Sequence, residues 1–155
     1  MRTESKPKIA DAKTCARQVV ETVPEIMRII RAGVRKQGTL SVPQVRVLSH
    51  LRRQPGSSVS ELAFVLDISI PSASALVERL VKKKLVQRQD DPNERRRVLL
   101  TLTQDGENAF DEARASAQAF VSHLFEFESP EQLATISEGL SLLADAARAF
   151  NAGRK

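Results

Sequence analysis

Across residues 11–37, apolar side chains recur at steps of three and four, at Ala16, Val19, Val20, Val23, Ile26, Met27, Ile30 and Val34, which is the period of one helical face. Pro24 interrupts this stripe. Proline belongs in a first turn, so the segment is either one kinked helix or two, the first ending near Glu21 and the second capped by Thr22. Gly38 closes it, being the residue most willing to take left-handed backbone past a C-terminus. Ser41 and Pro43 open a second helix that carries Val45, Val47, Leu48 and Leu51, and Pro55-Gly56 breaks the chain after it. Ser58 with Glu61 makes a capping box for a short helix whose core face is Leu62, Ala63, Val65 and Leu66. Asp67-Ile68 predicts a tight corner. Ser69 then caps a longer helix with Pro71 in its first turn and Ala73, Leu76, Val77 and Leu80 on its inner face.

The period then changes from helical to alternating. Residues 86–89 and 98–102 read as two strands, the second placing Val98, Leu100 and Leu102 on one side, with the charged turn Pro92-Asn93-Glu94-Arg95-Arg96-Arg97 between them. Thr103 caps a further helix striped by Ala109, Phe110, Ala113, Ala117, Phe120, Val121 and Leu124. Ser129-Pro130-Glu131-Gln132 starts a last one, where Leu133, Ile136, Leu140, Leu143, Ala147 and Phe150 repeat at heptad spacing. That seam suits a helix of a second subunit or one of the same chain. The expected fold class is mainly α with a small β-hairpin wing (α+β), a single domain over residues 1–155. Its centre is a module at 40–103, flanked by helices at 11–37 and 104–150, and only residues 1–8 and 151–155 are expected to fray.

Charge sharpens this plan once it is divided along the chain. The net +5 of the whole resolves into +5 over residues 1–39, +5 over 40–103 and −5 over 104–155. A basic first two-thirds of +10 therefore lies behind an acidic tail, and clustered basicity points to a polyanionic partner, nucleic acid ahead of membrane. No apolar run approaches the length of a membrane span, and the first ten residues lack the apolar segment of a secretory signal, which leaves the cytoplasm as the expected location. The single cysteine, Cys15, excludes an intramolecular disulfide; His50 and His123 lie far apart with no metal-ligand spacing. No phosphate loop, nucleophile elbow or Ser/His/Asp set is present, so neither metal, cofactor nor enzymatic activity is expected.

Two short helices joined by a tight corner form the helix-turn-helix pattern. The second has a leading face of short polar side chains, which a helix needs where base edges must be approached in the major groove. Ser72 and Ser74 suit a base edge or a phosphate, Ala75 a thymine methyl, and Arg79 and Lys82 the backbone. The arginine-tipped hairpin beside them suits a narrow minor groove. Together these define a winged helix-turn-helix with a DNA-contacting set of Ser58, Ser69, Ser72, Ser74, Ala75, Arg79, Lys82, Arg88, Arg95, Arg96 and Arg97.

The residues Leu62-Ala63 through Ile68-Ser69, Pro71-Ser72, Leu76-Val77-Glu78-Arg79-Leu80, Leu85-Val86-Gln87-Arg88, Pro92-Asn93-Glu94-Arg95-Arg96 and Leu102-Thr103 with Gly106 resemble the core signature of the multiple antibiotic resistance regulators, the MarR family. The resemblance implies a homodimeric transcription factor whose first and last helices interleave, here through Val23, Met27, Ile30, Phe120, Leu133, Ile136, Leu140, Leu143 and Phe150. It also implies a small aromatic or anionic effector, or oxidant sensing through an N-terminal cysteine, for which Cys15 beside Lys13 and Arg17 is the candidate, although a chain without tyrosine or tryptophan favours a buried or inert Cys15. Three positions depart from the pattern: Glu94-Arg95-Arg96 replaces Asp-x-Arg, Ala75 replaces a frequent arginine, and Lys84 stands where glycine commonly follows the recognition helix. Lys84 therefore calls for left-handed backbone or a different helix end. The expected function is a ligand-responsive repressor that reads a pseudo-palindromic operator as a homodimer, nucleoid-associated when bound. The alternatives are a winged-helix module that binds acidic proteins and a thiol-switched regulator acting through Cys15.

Overall fold

Helix α1 (Ala12–Gln37) is one uninterrupted helix of 26 residues, capped by Asp11, whose carboxylate accepts from Thr14 N at 2.7 Å, and closed by Gly38 at φ 75°. The two-helix alternative at Glu21 and Thr22 is thereby excluded. Pro24 is tolerated because it and Val20, the residue four positions earlier whose carbonyl loses its donor, both lie on the exposed side, where water replaces the missing bond. Val20 accordingly leaves the apolar stripe. The computed structural model describes residues 11–91 and 98–153, and only the backbone of Gln37. These fall into two compact units, Met1–Phe120 and Val121–Lys155.

Within the first unit, α2 (Val42–Arg53), α3 (Val59–Leu66) and α4 (Ile70–Lys82) pack with the hairpin β1 (Val86–Asp90) and β2 (Val98–Leu102). Their shared core is Val47, Leu48, Leu51, Leu62, Val77, Leu80, Val86 and Leu100, each essentially sealed from water. Burying a side chain of this size contributes about 1.5–3 kcal/mol, so the periodic apolar positions decide which faces turn inward. Val65 is an exception. Its spacing predicts a place on the core face of α3, yet it is 47% exposed, because Leu62 and Leu66 point inward from an eight-residue helix and Val65 lies to one side of them.

Serine caps set where each helix starts. Ser41 and Ser58 each form a capping box, with Gln44 and Glu61 respectively, and Ser69 accepts from Ser72 N at 3.3 Å. Helix α3 ends as Ile68 N donates to Ala63 O (3.0 Å) and Asp67 takes left-handed backbone at φ 54°. The chain thereby turns through 112° into α4, within the range of a helix-turn-helix.

Helix α4 ends the same way, but with a lysine at the strained position. Lys84 N donates to Val81 O and Leu85 N to Leu80 O, both at 2.9 Å, which is a Schellman closure with Lys84 at φ 59°. Thr103 grips this turn from the far end of the hairpin, its N–H donating to Leu85 O at 3.1 Å and its hydroxyl to Lys84 O at 2.6 Å. The same hydroxyl accepts from Gly106 N at 3.0 Å and so starts α5 (Gln104–Ser122). A side chain at Gly106 has no room, since a Cβ there would lie 2.0 Å from Leu85 O.

The hairpin pairs Val86 with Leu102, Arg88 with Leu100 and Asp90 with Val98. The Pro55-Gly56 break hides an isolated antiparallel bridge to the open side of β2: Gly56 N donates to Leu100 O (2.9 Å) and Leu100 N to Ser57 O (3.1 Å). At the other end of this unit, α1 and α5 touch backbone to backbone. A Cβ on Gly33 would meet Phe120 Cβ at 2.8 Å, and Ser116 donates to Gly33 O at 3.0 Å. In the second unit, a short 3-10 turn (His123–Phe125) precedes α6 (Pro130–Ala152), started by the expected capping box of Ser129 and Gln132. Asn151, expected to fray, is helical.

Lys84→Gly removes the left-handed strain of about 1 kcal/mol and raises the urea midpoint. Gly106→Ala forces the Leu85 turn apart and lowers it by an amount equivalent to about 1–3 kcal/mol. Equilibrium unfolding of the two variants checks both signs.

Candidate nucleic-acid interface

Helix α4 buries Ala73, Val77 and Leu80 and turns Ser72, Ala75, Glu78, Arg79 and Lys82 outward. The outward face begins with small side chains and becomes charged only after its second turn. Ser72 and Ser69 share a hydroxyl–hydroxyl bond of 2.8 Å, Ser74 is half-buried, and Lys82 pairs with Glu78 at 3.4 Å. Ser58 and Ser69 spend their hydroxyl oxygens on helix caps, to Glu61 N and Ser72 N. Arg88 is exposed on β1. Arg95, Arg96 and Arg97 lie outside the described residues.

Beside α4 is a hollow of about 330 Å³ lined by the apolar Leu66, Ile68 and Leu76 and by the cationic Arg46 and Arg79. Arg46, on α2, is absent from the set expected from the sequence. Its Nη2 donates to Leu66 O at 3.4 Å, which covers a carbonyl at the negative end of α3 beside the corner that aims α4.

Arg46 also lines a cleft of about 350 Å³ formed by α1, α2, α5 and the end of α3, whose walls include Met27, Ile30, Val34, Val45 and Phe110, with Arg31 and Arg53 among its polar groups. Met27 and Ile30, expected at a subunit interface, thus face this cleft, and Phe120 packs on α1 of its own chain under Lys36. Arg52 holds the cleft's α2–α5 side together. It pairs with Glu107 at 3.2 Å and with Asp111, and its guanidinium carbon lies 5.2 Å from the ring centre of Phe110. The hydrogen bond to Asp111, together with the charges of Asp111 and Glu107, raises the pKa of Arg52.

The wing is tied to this framework by a buried histidine. His50, 4% exposed, lies 3.0 Å from Ser57 Oγ through Nε2, while the Ser57 hydroxyl donates to Gln54 O at 2.9 Å. Since that hydroxyl proton is used, His50 Nε2–H is the donor to Ser57, and Ser57 bridges to Leu100 of β2. Burial, and then the charge of Arg53, push the His50 imidazole below its usual range, with Glu61 opposing.

Of the other expected sites, Cys15 is exposed in the first turn of α1. Leu133, Ile136, Leu140 and Leu143 on α6 and Val23 on α1 are all exposed, as is Phe150. Among the described residues, no group of three or more His, Cys, Asp or Glu is placed to hold a metal, and no single helix is long and apolar enough to cross a membrane.

A three-helix core with an inward-locked α4, a small-residue outer face and a sheet beside it is a winged helix-turn-helix, the architecture of a transcriptional regulator. A model of the MarR family matches residues 39–97. An uncharacterised helix-turn-helix-type transcriptional regulator of Bacillus subtilis (strain 168), YfiV, is 30% identical over 107 residues, covering 69% of this chain and 67% of that protein. The transcriptional repressor MdtR of the same organism is 28% identical over 115 residues, 74% of each chain. The solved structure of a point mutant of S. aureus MepR, bound to an oligodeoxyribonucleotide, superposes with a TM-score of 0.61 at 20% identity, covering 86% of this chain and 98% of that one. This chain belongs to the MarR family of transcriptional regulators.

His50 gives the module a pH dependence whose sign is fixed. Its folded pKa lies below the ordinary 6.5, so the unfolded chain binds the proton more readily. The stability that the neutral ring contributes is complete above about pH 6.5 and is lost as pH falls below it. Urea unfolding of wild type and His50→Gln at about pH 7.5 and about pH 5.5 should show the larger loss on acidification in wild type.

Proposed function

We propose that this regulator acts as a homodimeric repressor that reads a pseudo-palindromic operator, with α4 in the major groove and the arginine wing at the minor groove. The observation that carries the reading is α4 itself: its inner face is locked into the core while Ser72, Ala75 and Arg79 stand on the outer face. Short side chains let the helix approach base edges, and Ala75 in place of a long cation leaves that approach open. Arg95, Arg96 and Arg97 supply the wing's charge. The oligonucleotide bound to MepR and the name of MdtR favour DNA binding and repression respectively. Self-association is favoured by α6, a helix of 23 residues of which none is buried and whose apolar heptad positions are exposed. A DNA-bound regulator of this kind belongs in the cytoplasm at the nucleoid.

Ligand response is favoured by the cleft beside α2. Its volume is in the range of small-molecule sites, its walls are apolar, and its cations suit a small aromatic or anionic effector. The cleft shares Arg46 and Leu66 with the hollow on α4, so an occupant there bears on the corner that aims the recognition helix. Benzoate, a minimal aromatic carboxylate, should raise the melting temperature of wild type but not of Arg53→Gln. A wild-type protein indifferent to benzoate counts against this effector class.

Gel-shift titration on the DNA upstream of its own gene tests the main reading. Arg96→Ala should weaken binding by about ten-fold or more at matched salt while sedimentation still reports a dimer. Log affinity should fall steeply with log salt for wild type, and a slope near zero is incompatible with phosphate neutralisation.

A further inference from the structure

The groove that begins at the recognition helix continues past it. The hollow walled by Arg46 and Arg79 shares Pro43 and Arg46 with a larger one of about 780 Å³ at the start of α2, into which Arg31 and Arg35 of α1 project. Among the described residues, no carboxylate lines either hollow. Nor, among those residues, does an acidic side chain pair with Arg31, Arg35 or Arg79, whereas Arg52 and Arg148, elsewhere on the chain, are paired. Arg31 and Arg35 are four residues apart on one helix, hence on one face and about 6 Å apart along its axis. The N-terminal end of α2 opens into the same groove through Ser41 and Val42 and adds its partial positive charge. Guanidinium groups without acidic partners, in succession along a groove with apolar walls, concentrate positive potential there.

We propose that this groove is a second contact surface for the DNA backbone: Arg46, with Arg79, holds a phosphate at the edge of the major groove, and Arg31 and Arg35 hold phosphates of the flanking DNA. The proposal rests on the DNA-binding reading above and extends it to α1 and α2, elements otherwise assigned to scaffolding. These contacts are to phosphate, so they carry affinity and register rather than sequence preference. Arginine is suited to them because its planar fork meets a phosphate through two parallel bonds.

The test uses the full chain and a mixed-sequence DNA duplex, with affinity measured over a series of salt concentrations. Arg46→Gln and the double variant Arg31→Gln/Arg35→Gln should each bind more weakly. Their log–log salt slopes should be shallower than wild type by about 0.9 for each phosphate no longer neutralised, which weakens binding about five- to ten-fold per phosphate at roughly 0.1 M salt. Arg46→Lys should retain the slope, because a change in the corner's structure would not be rescued by charge alone. Arg28→Gln removes a cation of α1 that lies outside the groove and should leave the slope unaltered. Wild-type slopes in Arg46→Gln and the double variant, alongside a shallower slope in Arg79→Gln, would overturn the track and leave the DNA reading standing. An equally shallow slope in Arg28→Gln would reduce the effect to net charge and overturn it too. Salt-independent binding by wild type would remove the DNA reading itself.

Discussion

The turn at Lys84-Leu85 is the constraint on which the rest of the DNA-reading unit depends. Within two residues the chain ends α4, takes left-handed backbone, and offers two carbonyls to Thr103, the residue that also caps α5. The missing side chain of Gly106 lets α5 approach this turn. Helix α4, the hairpin and α5 are therefore fixed at one point. Lys84 takes left-handed backbone, strained for a residue with a side chain, while the closing hydrogen bonds are all made, so the surrounding contacts impose the conformation.

A second tie, through His50 and Ser57, fixes the other side of the wing. Strand β2 is held between β1 and the Ser57 bridge, so the hairpin is anchored on both sides rather than a lone ribbon. Arg46 adds a third connection, from the cleft wall to the α3–α4 corner. Arg31 and Arg46 line both the cleft and the basic groove, so an anion bound in the cleft would draw on the same cations as the DNA proposed for the groove. Linkage between the two ligands would then be reciprocal.

Most of the architecture was legible in the sequence because it rests on local chemistry. Serine caps, Gly38, the 3.6-residue stripes and the change to alternation at residue 98 each act within a few positions. At Lys84 the sequence left two outcomes open, unusual backbone or a different helix end, and the structure takes the first. What escaped was long-range. The bridge from Ser57 to Leu100 is a single residue on each side and looks like a break until β2 is brought to it. Arg46 carries no local mark, since its partner Leu66 O is twenty residues away. Val65 fits a helical stripe, but an eight-residue helix buries fewer positions than its periodicity offers. Pro24 could be resolved only by knowing which side of α1 faces water. For the candidate site, the small outer face of α4 was readable directly, whereas the hollow beside it exists only once α2, α3 and α4 are assembled.

Hydroxyl-radical footprinting of the purified protein on the DNA upstream of its gene tests the central claim most directly. A dimer placing two recognition helices in successive major grooves should protect two patches on one face of the duplex, centred about 10–10.5 base pairs apart. Uniform protection, or none under conditions where the protein is folded, would contradict it.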